Sequence, residues 1–189
     1  MMESLIIVII YSYILGSIPF GLIFSKILGF GDIRKIGSGN IGATNALRTG
    51  SKKLAFLTLL FDVGKGSLAV FLTLKYFNEH SYTSAIFVYL GHIFPLWLKF
   101  KGGKGVATYV GVILLINPIL FLVFIFSWLL TAKVLKVSSV SALVAYFIVT
   151  TTSFFIYDQN IFLLNFFFLI FSIYTHRENI KRLMQKIEK

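Results

Sequence analysis

Three short stretches carry residue types suited to a charged substrate. The first is GSGNIGATNALR, residues 37–48, which sets Ser38, Asn40, Thr44, Asn45 and Arg48 among three glycines. Ser38 or Asn40 is the kind of residue that caps a helix. A helix starting near residue 41 would bring Asn40, Thr44 and Arg48, four apart, onto one face. Gly50 would then stand just past its end. Free backbone N–H groups at such a start bind anions, and glycines let a phosphate come close. An arginine held there fits phosphate oxygens bidentately. An ordinary glycine-rich loop with a capped surface helix would carry the same pattern.

The second stretch is GHIFPLWLKFKGGKGVAT, residues 91–108. Lys101, Gly102, Gly103, Lys104 and Gly105 lie just before a helix expected from residue 106. This is again a glycine turn feeding a helix start, now with two ammonium groups, and it suits a phosphate or an oxyanion. It is not a Walker A loop, because Gly105 follows Lys104 where Ser or Thr is needed. The third stretch is HRENIKRL, residues 176–183, in which His176, Asn179 and Leu183 share a helical face and Arg182 lies beside them. A basic anchoring tail would explain Arg177, Lys181 and Arg182, but explains His176 with Asn179 less well.

Smaller features accompany these. Ser138 and Ser141 open another helix, Ser138 as a cap and Ser141 as a donor toward a substrate. Asp62 and Lys65, three apart in an apolar run, read as a structural ion pair, since charges there are costly unless paired. His92, also in an apolar run, reads as a hydrogen-bonded core residue. Residues 37–42 fit the dinucleotide fingerprint G-x-G-x-x-G, but no apolar strand precedes them and no βαβ unit follows. The nucleotide reading therefore fails on context.

The elements that must hold these residues follow from composition. Of 189 residues, 57% are hydrophobic and 13% charged, about half the charged share of a soluble domain. That describes an all-α integral membrane protein, expected as one domain over residues 1–189. With no cysteine, disulfides and thiolate chemistry are excluded. The three histidines are far apart and no cluster of carboxylates offers a metal site, so neither a metal nor a cofactor is expected. The first apolar run lacks a small-residue cleavage site and reads as a retained span.

A span needs roughly 20 apolar residues. Candidates are residues 5–28, 54–76, 82–98, 138–157 and 161–174. Residues 106–131 are interrupted by Asn117-Pro118 and read as two short antiparallel helices of roughly 12 and 14 residues, too short to cross fully. One kinked helix is the alternative. With seven helices, the segments 29–53, 99–104, 132–137 and the tail from 177 share one side and hold 5, 3, 2 and 5 basic residues, 15 of 18. Cytoplasmic loops collect such residues. The N-terminus is then outside and the C-terminus cytoplasmic. All three motifs meet at one cytoplasmic interface, as a basic pocket with two anion sites. The net charge of +11 thus points to topology and anionic headgroups and not to nucleic acid.

The motifs GSIPFG, GSGNIGATNALR, DVGKG, GHIFPLWLKFKGGKGVAT and HRENIKRL, in this order, resemble those of the acyl-phosphate-dependent glycerol-3-phosphate acyltransferases of bacteria, the PlsY family. The resemblance covers nearly the whole chain. It implies a seven-helix enzyme of the bacterial inner membrane, working in phospholipid synthesis. Such enzymes acylate the first hydroxyl of glycerol-3-phosphate from an acyl phosphate, releasing phosphate and leaving lysophosphatidic acid in the bilayer. Functional coupling to an acyl-phosphate-forming enzyme is implied as well. By this resemblance Ser38, Arg48, Lys104, His176 and Asn179 match substrate-handling positions, with His176 and Asn179 nearest the chemistry. Lys101, Gly102, Gly103, Asn40, Thr44, Asn45 and Ser141 are further substrate-binding candidates. The H-x-x-x-x-D pattern of unrelated glycerolipid acyltransferases is missing, since no histidine has Asp five positions on. A rival function is transport of a phosphorylated solute, but the basic groups cluster on one side only.

Overall fold

The structure, a computed structural model, describes residues 2–188; the two end residues of the expected domain lie outside them. Among the described residues there are ten α-helices and no strand. The chain forms two compact units, one ending at Ile116 and one beginning at Asn117.

In the first unit, α1 (Met2–Ser17) and α2 (Phe20–Ile27) form a long apolar stretch broken at Ile18-Pro19. Proline has no N–H and its ring clashes with a preceding carbonyl, so the helix cannot run through it. Backbone carbonyls freed in apolar surroundings need partners. Trp97 Nε1 donates to Ser17 O at 2.6 Å, and Lys65 Nζ donates to Ile18 O at 2.8 Å. Lys65 lies on α4 (Lys52–Tyr76) and pairs with Asp62 at 3.0 Å, both side chains being buried. The expected structural ion pair is present, and its lysine also mends the break.

Helices of this unit touch through glycines. A Cβ at Gly16 of α1 would fall 2.0 Å from Val88 O of α5 (Ser81–Ile93), and one at Gly91 of α5 would fall 2.3 Å from Tyr13 O. α4 and α6 (Val106–Ile116) repeat the arrangement: a Cβ at Gly66 would lie 2.3 Å from Thr108 O, and one at Gly111 would lie 2.0 Å from Val63 O. Small residues let backbones approach where lipid supplies no hydrophobic drive between helices. Ser12 and Ser84 add a buried hydrogen bond of 2.8 Å between α1 and α5. The short α3 (Ala43–Leu47) lies over an apolar cluster of Leu22, Ile33, Ile41, Ala46 and Leu54.

The second unit holds α7 (Pro118–Leu135), α8 (Ser138–Ile156), α9 (Gln159–Thr175) and α10 (Arg177–Met184). Asn117 caps α7, its Oδ1 accepting from Leu120 N at 3.0 Å, and Pro118 takes the first helical position, where its missing N–H costs nothing. Asp158 caps α9 through Asn160 N and Ile161 N. Phe124 of α7 meets Tyr146 of α8 edge to face at 5.2 Å, and Thr150 of α8 donates to Asn165 O of α9. α9 and α10 are bent by 58° at His176.

Every segment expected as a span is helical, with boundaries that differ. Residues Met2–Ile27 taken together, Lys52–Tyr76, Pro118–Leu135 and Ser138–Ile156 are long and apolar enough to cross a membrane. Gln159–Thr175 joins them if counted with α10. The expected 82–98 segment stops at Ile93, because Phe94-Pro95 leads into a separate turn. The break at Asn117 is where the proline put it, but the second half is 18 residues long and is not too short to cross. It continues through Ala132, Lys133, Val134 and Leu135, a basic residue near an end being compatible with an apolar helix.

The glycine contacts generate a paired expectation. Gly111→Ala should lower stability in detergent by about 1–3 kcal/mol through forced separation of α4 and α6. Gly64→Ala, whose Cβ meets nothing within 4 Å, should leave stability unchanged or raise it by about 0.5–1 kcal/mol. Thermal unfolding of the two purified variants checks both signs.

Candidate active site

The first motif is a loop held by one side chain. Gly37 and Gly39 have φ of +55° and +71°, in the left-handed region that glycine enters without steric cost. Asn45, 2% exposed, ties the loop together: its Oδ1 accepts from Ser38 N at 2.9 Å and from Ser38 Oγ at 3.3 Å. Its Nδ2 donates to Ile33 O and Asn40 O, each at 2.8 Å. Asn45 therefore shapes the loop rather than presenting its amide outward. Asn40 Oδ1 accepts from Gly42 N at 2.9 Å, a local turn that keeps the backbone out of the helix.

The helix accordingly begins at Ala43, with Gly42 as its cap residue and no side-chain cap, and has five residues. The expected start near residue 41, with Ser38 or Asn40 as cap, is corrected. So is the expected single face, because Asn40 lies outside the helix, Thr44 is within it and Arg48 ends it. Five residues carry little dipole, so an anion here would depend on side chains and loop N–H groups. Arg48 crosses directly over Gly37, where an added Cβ would lie 2.6 Å from Arg48 Cδ and 3.0 Å from Nη1. That contact sets the guanidinium against Gly37, the residue before Ser38. Arg34 is paired with Asp32 at 2.6 Å, and its hydrogen bond holds the Asp32 carboxyl down to about 2.

The second motif folds back onto the end of α5. Gly102 N donates to Ile93 O and Gly103 N to His92 O, both at 3.0 Å. A Cβ at Gly102 would lie 2.1 Å from His92 O, so no larger residue lets the loop close this tightly. Gly105, at φ +87°, lies against the Tyr89 ring and turns the chain into α6. α6 has 11 residues, so its first turn presents backbone N–H groups with a real dipole behind them. Lys104, half-buried, precedes that turn directly, while Lys101 is exposed.

The third motif sits at the bend between α9 and α10. His176 is 2% exposed, and its Nδ1 lies 2.8 Å from Ser172 O. A carbonyl oxygen only accepts, so Nδ1 carries the proton, and in the neutral ring the lone pair is at Nε2. Asn179, 4% exposed, donates to Glu188 Oε1 at 2.5 Å. Glu188 also accepts from Ser139 Oγ at 3.0 Å and from Arg182 Nε at 2.6 Å. A turn at Lys186, φ +58°, brings it back to these partners. Ser141 is fully buried and its hydroxyl donates to Val137 O of its own helix at 2.9 Å. Ser138 is the first helical residue, the cap position falling on Val137, which corrects the expected cap.

Sequence reading missed Glu188 and Ser139. Nothing in HRENIKRL signals that a glutamate beyond its end returns to Asn179. Arg182, within the motif, pairs with Glu188 beyond it. Burial raises the Glu188 carboxyl, but the hydrogen bonds from Asn179, Arg182 and Ser139 outweigh it and hold the group below its ordinary value. A depressed carboxyl stabilises the fold fully above its unfolded-state value and loses that contribution as pH falls through the folded one. Hydrogen exchange in α10 should therefore accelerate as pH drops from roughly 5 toward 2, after correction for intrinsic rates. In Glu188→Gln the corrected profile should be flatter and its protection lower at neutral pH.

The sequence profile of the glycerol-3-phosphate acyltransferase family matches residues 6–186. The chain is 52% identical over 184 residues to the glycerol-3-phosphate acyltransferase of Pelagibacter ubique (strain HTCC1062), covering 97% of this chain and 95% of that one. It is 46% identical over 187 residues to that of Sinorhizobium medicae (strain WSM419), covering 99% and 92%. Two crystal structures of PlsY, described as an integral membrane glycerol 3-phosphate acyltransferase, superpose closely. The glycerol 3-phosphate form has a TM-score of 0.92 at 34% identity, and the lysophosphatidic acid form 0.89 at 33%. Each comparison covers 98% of this chain and 94% of the other. With its apolar helices and a match running through both units, this multi-pass membrane protein belongs to the glycerol-3-phosphate acyltransferase family.

Proposed function

We propose that the protein transfers an acyl chain from an acyl phosphate to the first hydroxyl of glycerol-3-phosphate, giving lysophosphatidic acid and phosphate. The observation that carries this reading is the presence of two separate glycine turns, each with its own cation, Arg48 and Lys104. Two phosphate-bearing substrates call for two such turns. The acyl phosphate is a mixed anhydride and is already activated, so no covalent nucleophile is required. The hydroxyl oxygen attacks the acyl carbonyl carbon, and the bond from that carbon to the phosphate oxygen breaks. Proximity and electrostatic stabilisation supply the rate.

Arg48 and Lys104 neutralise phosphate oxygens in this scheme, Ser38 and the N–H groups of the two turns add donors, and Lys101 attracts the anion from solution. The arrangement of His176 supports its role. With Nδ1 held by Ser172 O, Nε2 accepts the hydrogen bond of the reacting hydroxyl, and the departing phosphate finally takes the proton. Asn179, fixed by Glu188, orients the same group. The charge pattern supports seven transmembrane helices, some short or broken, with the N-terminus outside and the motifs facing the cytoplasm at a bacterial inner membrane, since that arrangement puts 15 of 18 basic residues on one side.

Purified protein in detergent should form lysophosphatidic acid from glycerol-3-phosphate and acyl phosphate, and EDTA should not stop it. Product formed only from acyl-CoA would refute the proposed donor. Uptake of glycerol-3-phosphate into liposomes without any donor would favour the transporter instead. Arg48→Ala and Lys104→Ala should each lower turnover by roughly 100-fold or more while the protein still inserts. Near-normal turnover in both would remove the two-phosphate reading.

A further inference from the structure

One buried polar cluster has no part in the chemistry above. His92 lies at the end of α5, 4% exposed, with its Nδ1 3.7 Å from Asp62 Oδ1 of α4. Both atoms are buried, and His92 Nδ1 has no hydrogen-bond partner. Asp62 Oδ1 is also the oxygen that faces Lys65 Nζ at 3.0 Å, and Lys65 continues to Ile18 O. On its other edge the His92 ring lies flush with the second motif. An added Cβ at Gly103 would be 2.0 Å from His92 Nε2 and 2.7 Å from Cε1. The same histidine accepts from Gly103 N through its backbone carbonyl. The ring is thus wedged between a buried carboxylate and the backbone just before Lys104.

A core histidine is ordinarily hydrogen-bonded, because an unpaired buried polar atom is costly. Here Nδ1 has no such bond, and the opposite edge of the ring packs against a glycine. Such an arrangement makes the loop position depend on the ring position, and the ring position on the Asp62–Lys65 pair. We infer that Asp62 and His92 are positioning residues for the Lys104 turn. They form a buried strut, from the broken α1–α2 junction through Lys65, Asp62 and His92 to Gly103, that sets where Lys104 and the first N–H groups of α6 stand. The inference rests on Lys104 holding one of the two phosphate substrates.

Its signature is selectivity between substrates. Lys104→Ala identifies, by the larger rise in KM, which substrate the turn holds. His92→Gln should raise KM for that same substrate by about tenfold, an ordinary coupling between contacting residues, with kcat and the other KM nearly unchanged. In the Lys104→Ala background the His92→Gln effect should shrink markedly, because the strut then positions a turn without its cation. Gly103→Ala, which pushes on the ring from the loop side, should reproduce the same split if His92→Gln does not fold. Equal changes in both KM values, a fall in kcat alone, or full additivity with Lys104→Ala would overturn the inference. If Lys104→Ala keeps near-normal turnover and both KM values, the two-phosphate reading fails instead, so the two failures are distinguishable.

Discussion

Backbone hydrogen bonds in apolar surroundings must be made within the protein, because no water is there to replace them. A helix meets this demand by itself, and any interruption has to be supplied with partners. At Ile18-Pro19 the partners are Lys65 and Trp97. At Asn117-Pro118 the Asn117 side chain takes Leu120 N. At the bend between α9 and α10, Ser172 O receives both the backbone N–H and the ring Nδ1 of His176. Polar residues therefore gather where helices are interrupted. The same demand that makes an interruption costly fixes the tautomer of His176 and draws Lys65 into the interior.

Glycine carries the complementary constraint. Where helices and loops meet without side chains between them, backbones come into contact and the positions of elements become interdependent. Gly16, Gly91, Gly66 and Gly111 do this between helices, and Gly102 does it between a loop and the end of α5. A loop seated in this way has little freedom to adjust. Preorganised donors are what electrostatic stabilisation of a developing charge requires, since groups that must reorient lose much of their effect.

Much of this was legible in the sequence, for identifiable reasons. Membrane class, the helical segments and the break at Asn117 follow from hydropathy and proline, which act locally. The Asp62–Lys65 pair follows from the cost of an isolated charge. Two kinds of feature were not legible. Helix ends such as Ile93 and Ala43 depend on loop closure, where Asn40 and Asn45 use their amides on the backbone against the helix that periodicity alone suggests. Contacts distant along the chain were the other kind. Glu188 returning to Asn179 and Ser139, and His92 meeting Gly103, leave no local pattern of spacing.

The two glycine turns looked alike as sequence, and the structure separates them by physics. α3 has five residues and follows a loop tied down by Asn45, so charge for an anion there comes from the Arg48 side chain lying over Gly37. α6 has 11 residues and begins straight after Lys104, so dipole, N–H groups and ammonium act in the same direction. A planar guanidinium and a helix start with a point charge are not interchangeable as anion sites. The first favours a phosphate presenting a pair of oxygens, and the second favours one that tolerates a single charge contact. On the proposed reaction, this difference separates two substrates that both end in phosphate, one soluble and one carrying an acyl chain, before any contact with the acyl chain itself.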